Sequence, residues 1–261
     1  MALLPRITRI LGRTPAATFA QGITESGHLG APDAPLTLQQ HAAYMETLRN
    51  LGLEVTVLPA DERYPDGHYV EDPAVIFRDM VFFCRSGAEA RRGEADGLAA
   101  ALSDLRQVRV TGEDAFIDGG DVLFCADRVL IGLSQRTTRA GAEELAAALR
   151  SVQADLRVEF VPFTGVLHLK TGMTELAPGL MVKSPLMQTD HPLDFAEVVT
   201  LPASESYAAD VLPINDALIL PAGDYPTVQA LAEKHYQQII RVEMSEFEKM
   251  DGGLTCLSLR Y

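Results

Sequence analysis

Cys256, in DGGLTCLSLRY, and His168, in TGVLHLKTG, are the side chains whose types could carry nucleophilic and acid-base chemistry. Read as a strand over Leu254 to Tyr261, the first run puts Leu254, Cys256, Ser258 and Arg260 on one face and Thr255, Leu257, Leu259 and Tyr261 on the other, more apolar one. Cys256 then has polar company, although a buried core cysteine is the plainer account of a lone thiol. Cys84 and Cys125 follow aromatic residues inside strand pairs and read as core. His168 alternates with Val166 and Lys170 on the less apolar face of its own run, and by itself it too has an ordinary structural account. Acids supply the combination. Glu71 and Asp72 precede the run AVIF, Asp118 and Asp121 precede VLF, and Asp66 stands in a Pro-Asp-Gly loop just upstream. Taken singly, each acid suits a cap or a turn. A cysteine, a histidine and several carboxylates gathered at one level would suit attack on a cationic electrophile.

The elements that must gather them are short. Strand-like runs recur at Glu54 to Leu58, Ala74 to Phe77, Val81 to Cys84, Val108 to Val110, Val122 to Cys125, Val129 to Leu133, Val158 to Val161, Leu180 to Lys183, Glu197 to Leu201, Ala217 to Leu220, Ile239 to Val242 and Leu254 to Tyr261. Helical periodicity falls between them at Thr37 to Leu51, Ala88 to Leu105, Ala140 to Leu156 and Pro226 to His235, so the class is α/β. AVIFRDMVFFCRSG, DVLFCADRVLIGLS, TELAPGLMVKSP and VLPINDALILPAG each read as strand, tight turn, strand, at a period of about 50 residues. PRITRIL near the start and LTCLSLRY at the finish supply half a module each, and their antiparallel pairing would close a ring of five modules. An ordinary open α/β sheet is the competing architecture. No GxGxxG or Walker A pattern opens a helix, and GLSQR lacks the second glycine of a nucleophile elbow. The pairs Gly119-Gly120 and Gly252-Gly253 mark close backbone approach rather than a phosphate cradle.

Composition narrows the partners. The 261 residues carry 36 Asp plus Glu against 22 Lys plus Arg, a net charge of -14, which opposes nucleic acid and favours a cationic small molecule. No apolar run is long enough to cross a bilayer, so no membrane partner is expected. The first 24 residues hold Arg6, Arg9 and Arg13 and no acid, but lack the continuous apolar stretch of a secretory signal. Three widely spaced cysteines suit a reducing compartment, and cytoplasm is the default. A single domain over residues 1–261 is expected.

Taken together, YVEDPAVIF, FIDGGDVLF, IGLSQRTTRAGAEELA, LHLKTGM and EFEKMDGGLTCLS closely resemble segments of the dimethylarginine dimethylaminohydrolase family, part of the guanidino-group-modifying superfamily, in order from about Leu51 to the C-terminus. The resemblance implies the five-fold pseudosymmetric α/β propeller called pentein. It implies that Cys256 is the nucleophile, His168 the catalytic histidine and Asp118 the acid that orients it. Asp72 matches the carboxylate that grips the guanidinium, Asp66, Glu71 and Asp251 match supporting acids, and Arg91 and Arg136 fall where the family holds the substrate's α-carboxylate. The implied reaction converts a methylated arginine to citrulline through a covalent cysteine intermediate, with no cofactor and no metal; zinc on the thiol and imidazole would inhibit. Thr14 to Pro35 is similar to the region that supplies a mobile lid. Within enzymes the alternative is an arginine deiminase, outside them a five-fold ring used as a binding module. A homodimer is the expected assembly.

Overall fold

In the computed structural model, which describes Leu3 and residues 5–261, the sequence's strand pairs become five three-stranded sheets. They are built from β1 (Arg9–Arg13), β2 (Glu54–Leu58), β3 (Ala74–Phe77), β4 (Met80–Phe83), β5 (Arg106–Arg109), β6 (Val122–Phe124), β7 (Val129–Leu133), β8 (Val158–Pro162), β9 (Met173–Ala177), β10 (Leu180–Lys183), β11 (Glu197–Thr200), β12 (Leu212–Ile214), β13 (Ala217–Pro221), β14 (Gln238–Val242) and β15 (Leu259–Arg260). Within each sheet the middle strand pairs antiparallel with one neighbour and parallel with the other. A parallel partner requires a crossover, which explains why long segments follow the hairpins. Three of the crossovers are helical: α1 (Ala34–Asn50), α2 (Arg139–Val152) and α4 (Pro226–Ala232). Asp33 caps α1 by accepting from the Leu36 N–H, and Thr138 caps α2 by accepting from the Gly141 N–H. On α2, Ala142, Leu145, Ala146 and Leu149 are buried against β4 and β7 as one stripe.

The strands β3, β6, β9, β12 and β15 face a common axis, where residues from all five line one cavity of about 360 Å³. The ends of the chain close the ring: β15 pairs antiparallel with β1, Ile10 opposite Arg260 and Leu11 opposite Leu259. The open-sheet alternative is thereby set aside.

Three local expectations are corrected. Ala88 to Leu105 is not a helix but a run of turns, including two short 3₁₀ turns at Glu89–Arg91 and Glu94–Gly97. Gly93 between them takes φ of 109°, which no helix accommodates, while Ala95, Leu98 and Leu102 still bury with helix-like spacing. Leu254 to Tyr261 is a strand only at Leu259–Arg260, because Thr255–Leu257 winds into a 3₁₀ turn. The Arg260 guanidinium donates to the carbonyls of Thr255 (2.8 Å) and Ser258 (2.6 Å), and the Tyr44 hydroxyl donates to that of Leu254 (2.9 Å). Those contacts hold the turn against extension. His168 lies not on a strand but at the N-cap of α3 (Leu169–Gly172), whose first N–H, on Leu169, donates to Asp121 at 2.9 Å.

Candidate active site

At one end of the ring, Ile23, Asp66, Tyr69, Asp72, Arg91, Arg136, Leu167, His168, Met250, Asp251, Gly252 and Cys256 line a cavity of about 20 Å³. It has room for about one water molecule. Each chemical group comes from a junction rather than from a strand interior. Asp72 ends the loop into β3, Asp118 and the two glycines that follow precede β6, His168 caps α3, and Cys256 rides the turn before β15.

His168 is sandwiched by acids. Its Nε2 lies 3.1 Å from Asp118 Oδ2 and its Nδ1 lies 3.8 Å from Asp72 Oδ1, with the ring 2% exposed as a residue. Burial works against the charged ring, but the charge of Asp72, then the hydrogen bond that the ring donates to Asp118 and the charge of Asp121, outweigh it and raise His168 to about 9. The imidazolium and Arg91 in turn overcome burial at Asp72, whose carboxyl stays below the usual carboxylate range. Asp121, one of the acids expected to converge here, anchors this corner, accepting from Ser134 Oγ at 2.6 Å.

Cys256 is held differently. Burial, and then the carboxyl groups of Asp210, Glu71 and Asp72, push its thiol well above the ordinary value, opposed by one N–H, that of Gly253, 3.4 Å from Sγ. The resting group is therefore a thiol, and a cation brought beside it would favour the thiolate.

Of the two arginines, Arg136 fits an incoming anion. Its Nη1 is buried without a hydrogen-bond partner, 3.6 Å from Asp118 Oδ2. Arg91 is committed within the protein: it donates to Asp72 at 2.5 Å and to Glu94 at 2.8 and 3.0 Å, with longer contacts to the carbonyls of Asp66 and Tyr69. Asp72 thus already holds a guanidinium. Glu94, which no motif singles out, is the group that fixes Arg91.

The three supporting acids divide. Glu71 turns away from this cavity and lines the axial one, where Lys170 (2.6 Å) and Arg260 (2.5 Å) share its Oε1. Asp66 and Asp251 both line the small cavity, yet their carboxylates hold the N-terminal segment across it. Asp66 accepts from the Ile23 N–H at 3.1 Å, and Asp251 accepts from the Glu25 N–H at 2.6 Å and from the Ser26 hydroxyl. Residues 22–26, inside the stretch read as a lid, are therefore its closed cover. Among the described residues no group of His, Cys, Asp and Glu side chains is arranged to hold a metal ion, and no helix is long and apolar enough to cross a membrane.

A five-module ring with a thiol, an acid-flanked imidazole and carboxylates at one end of its axis defines a pentein built to act on a small cation. The arginine deiminase family model matches residues 102–198. The chain is 37% identical to N(G),N(G)-dimethylarginine dimethylaminohydrolase of Pseudomonas aeruginosa, covering 97% of this chain and 98% of the relative, and 36% identical to the enzyme of that name from Streptomyces coelicolor, covering 97% and 96%. It superposes on the Pseudomonas aeruginosa enzyme, solved as a cysteine-to-serine variant with citrulline, with a TM-score of 0.90 at 35% identity over 98% of this chain and 100% of that one. A histidine-to-glycine variant of a dimethylarginine dimethylaminohydrolase, solved as an adduct with S-methyl-L-thiocitrulline, superposes with a TM-score of 0.89 at 35% identity, covering 98% and 100%. The chain belongs to the dimethylarginine dimethylaminohydrolase family.

Proposed function

We propose that this chain hydrolyses Nω,Nω-dimethyl-L-arginine and Nω-methyl-L-arginine to L-citrulline and the corresponding amine, with Cys256 as nucleophile. The observation that carries the assignment of roles is the convergence of Cys256, the His168–Asp118 pair and Asp72 on one buried cavity. The citrulline-bound relative supports the same product here.

The guanidinium carbon is a poor electrophile, since its charge is shared by three nitrogens. Asp72 fixes the cation by charge-assisted hydrogen bonds, and Arg136 offers its free donor to the α-carboxylate. The cation beside Sγ favours the thiolate, the thiol proton is released to solvent, and the thiolate adds to the carbon, forming the S–C bond as the C=N π pair moves onto nitrogen. The imidazolium of His168 gives its proton to the dimethylated nitrogen, the C–N bond breaks, and dimethylamine leaves. Now neutral, His168 takes a proton from water, and the hydroxide adds to the same carbon. The C–S bond then breaks, the hydroxyl proton passes to the departing sulfur, and citrulline remains. Asp118 holds the ring for both proton transfers.

The arginine deiminase match over residues 102–198 favours one second reading, release of ammonia from unmethylated arginine. Citrulline formation from arginine, monomethylarginine, asymmetric dimethylarginine and agmatine distinguishes them. Preference for the methylated substrates is expected, and preference for arginine reverses the order. Cys256→Ser should abolish turnover while substrate still binds, and a covalent adduct on Cys256 should appear on rapid quenching; wild-type-like turnover in that variant with no adduct in the parent enzyme refutes the mechanism. A homodimer in the cytoplasm completes the proposal, supported by the commonness of closed two-fold assemblies and by three free cysteines. Sedimentation at two concentrations tests the dimer.

A further inference from the structure

Asp210 lies at the junction between a 3₁₀ run, Ala203–Ala209, and β12, far from every motif that marks the site in the sequence. It is 4% exposed and lines neither the substrate cavity nor the axial one. Its carboxyl group nevertheless meets the segment before Cys256 at both ends. Oδ1 accepts from the Thr255 N–H at 3.4 Å and Oδ2 from the Thr255 hydroxyl at 3.2 Å. The same carboxyl group lies against the bare Cα of Gly253, where an added Cβ would fall 1.8 Å from Oδ2. Gly253 is the residue whose N–H points at Sγ. On the other side, the Thr174 hydroxyl donates to the Ala209 carbonyl at 2.8 Å and fixes the backbone from which Asp210 projects.

We propose that Asp210 is a positioning residue for Cys256, clamping the Gly253–Thr255 segment so that the sulfur is presented to the cavity, and placing a carboxyl group beneath it. This rests on the reading of Cys256 as nucleophile. Asp210 acts through Thr255 and Gly253, since it touches no part of the cavity where substrate would lie.

The choice of a carboxyl group adds a second consequence. The charged and titratable groups facing Asp210 are Glu71, Lys170, Arg260, Cys256, Tyr44 and Tyr207. Both cations are engaged by Glu71, so Asp210 has no cation of its own. Burial, and then the charge of Glu71, raise it to about 7. Below that pH the group is neutral and leaves the sulfur's charge unopposed. Above it, the carboxylate disfavours the thiolate. A neutral isostere removes this opposition only on the alkaline side.

The test is the pH dependence of Cys256 alkylation by iodoacetamide, a neutral probe, measured by peptide mass mapping, with Cys256→Ser accounting for labelling at Cys84 and Cys125. Asp210→Asn should be alkylated about three- to tenfold faster than the parent enzyme above pH 7 and at the same rate well below it, a tenfold change being one pK unit. Thr255→Val loses half of the clamp and no charge; it should keep the parent's alkylation profile and KM within about twofold while kcat falls about tenfold. A purely structural role would lower the melting temperature of both variants without separating their profiles. Superimposable profiles for Asp210→Asn and the parent overturn the electrostatic part, and full kcat in a folded Thr255→Val overturns the clamp. If Asp210→Asn does not fold, Thr255→Val alone decides the clamp. Failure of the nucleophile assignment is separate, because Cys256→Ser would then turn over substrate whatever the alkylation profiles show.

Discussion

A methyl group added at Gly120 would stand 2.6 Å from Asp72 Oδ1 and 2.7 Å from the His168 ring, so the two groups that the proposed mechanism brings to the guanidinium leave no space there for a side chain. The Gly120 N–H also donates to Asp72 Oδ1 at 3.1 Å. Gly120→Ala must push one of them aside, and displacements of about 1 Å at a reacting centre cost about 10²-fold. We expect kcat/KM to drop by about that factor with the melting temperature little changed; a fall below threefold in the folded variant counts against this geometry. The acids around His168 set a second expectation. With His168 raised to about 9, the imidazolium is present at neutral pH and is lost as pH rises through that value, so kcat/KM should decline on an alkaline limb near 9. The same group contributes stability fully present below its unfolded value near 6.5 and lost as pH rises through about 9. Asp118→Asn removes the carboxylate at 3.1 Å, and its limb should move toward lower pH in a pH-rate profile. An unmoved limb assigns the titration to another group.

The elements differ in how far the sequence announces them. Hairpins such as Ala74–Phe77 with Met80–Phe83 are legible because apolar runs flank a turn, and the sheet needs little else to form there. Turns that depend on distant partners are not. Thr255–Leu257 is wound by Arg260, five residues beyond Thr255, and by Asp210 and Tyr44, both far away in sequence, and its residues alternate well enough to pass for a strand. The run from Ala88 to Leu105 has helical apolar spacing, but Arg91 is drawn inward to Asp72 and Gly93 breaks the path. The motifs name Cys256, His168, Asp72, Asp66 and Arg136, which do line one cavity, whereas the directions of Arg91, Glu71 and Asp251 depend on which partner reaches them first. The cover shows the consequence. Residues 22–26 hang on Asp66 and Asp251, and the cavity beneath is too small for an amino acid, so substrate must displace them. Asp251→Ala removes two charge-assisted hydrogen bonds, each worth about 1.5–3 kcal/mol at most in such a setting. Limited proteolysis within residues 22–26 should quicken, and KM should fall by up to about tenfold because substrate no longer has to break these bonds, with the fold intact. Unchanged proteolysis and KM would mean that the cover is held by Asp66 and Thr24, whose hydroxyl donates to the Lys249 carbonyl.

At the scale of the molecule, the ring places the side chains proposed for catalysis next in sequence to walls of the axial cavity: Asp72 follows Glu71, Asp118 precedes Gly119 and Cys256 follows Thr255. Closure of the ring therefore bears on chemistry as well as on folding. The closing contact is small but specific. Thr8 and Arg9 donate their N–H groups to the Tyr261 carbonyl at 3.0 and 2.7 Å, the Tyr261 N–H donates back to the Arg9 carbonyl at 3.0 Å, and the Arg9 guanidinium lies 4.3 Å from the centre of the Tyr261 ring. Just inside, Leu257 and Leu259 are buried among residues of two adjoining modules. Removing Tyr261 alone takes away three backbone hydrogen bonds of about 0.5–1.5 kcal/mol each and exposes the edge of β1. For a chain of this size 1 kcal/mol shifts the melting temperature by about 2–4 °C, so a fall of about 5–10 °C is expected by circular dichroism. Deleting Leu257 to Tyr261 also empties two apolar sites, at about 2–5 kcal/mol for each large side chain lost, and frees Glu71 from Arg260. Cooperative unfolding should then be lost, and Cys256 should no longer be held at the end of the axis. If the chain lacking Leu257 to Tyr261 melts like the full-length protein with native circular dichroism, the two ends do not close the ring, and the position of Cys256 must be fixed by the Asp210 contacts alone.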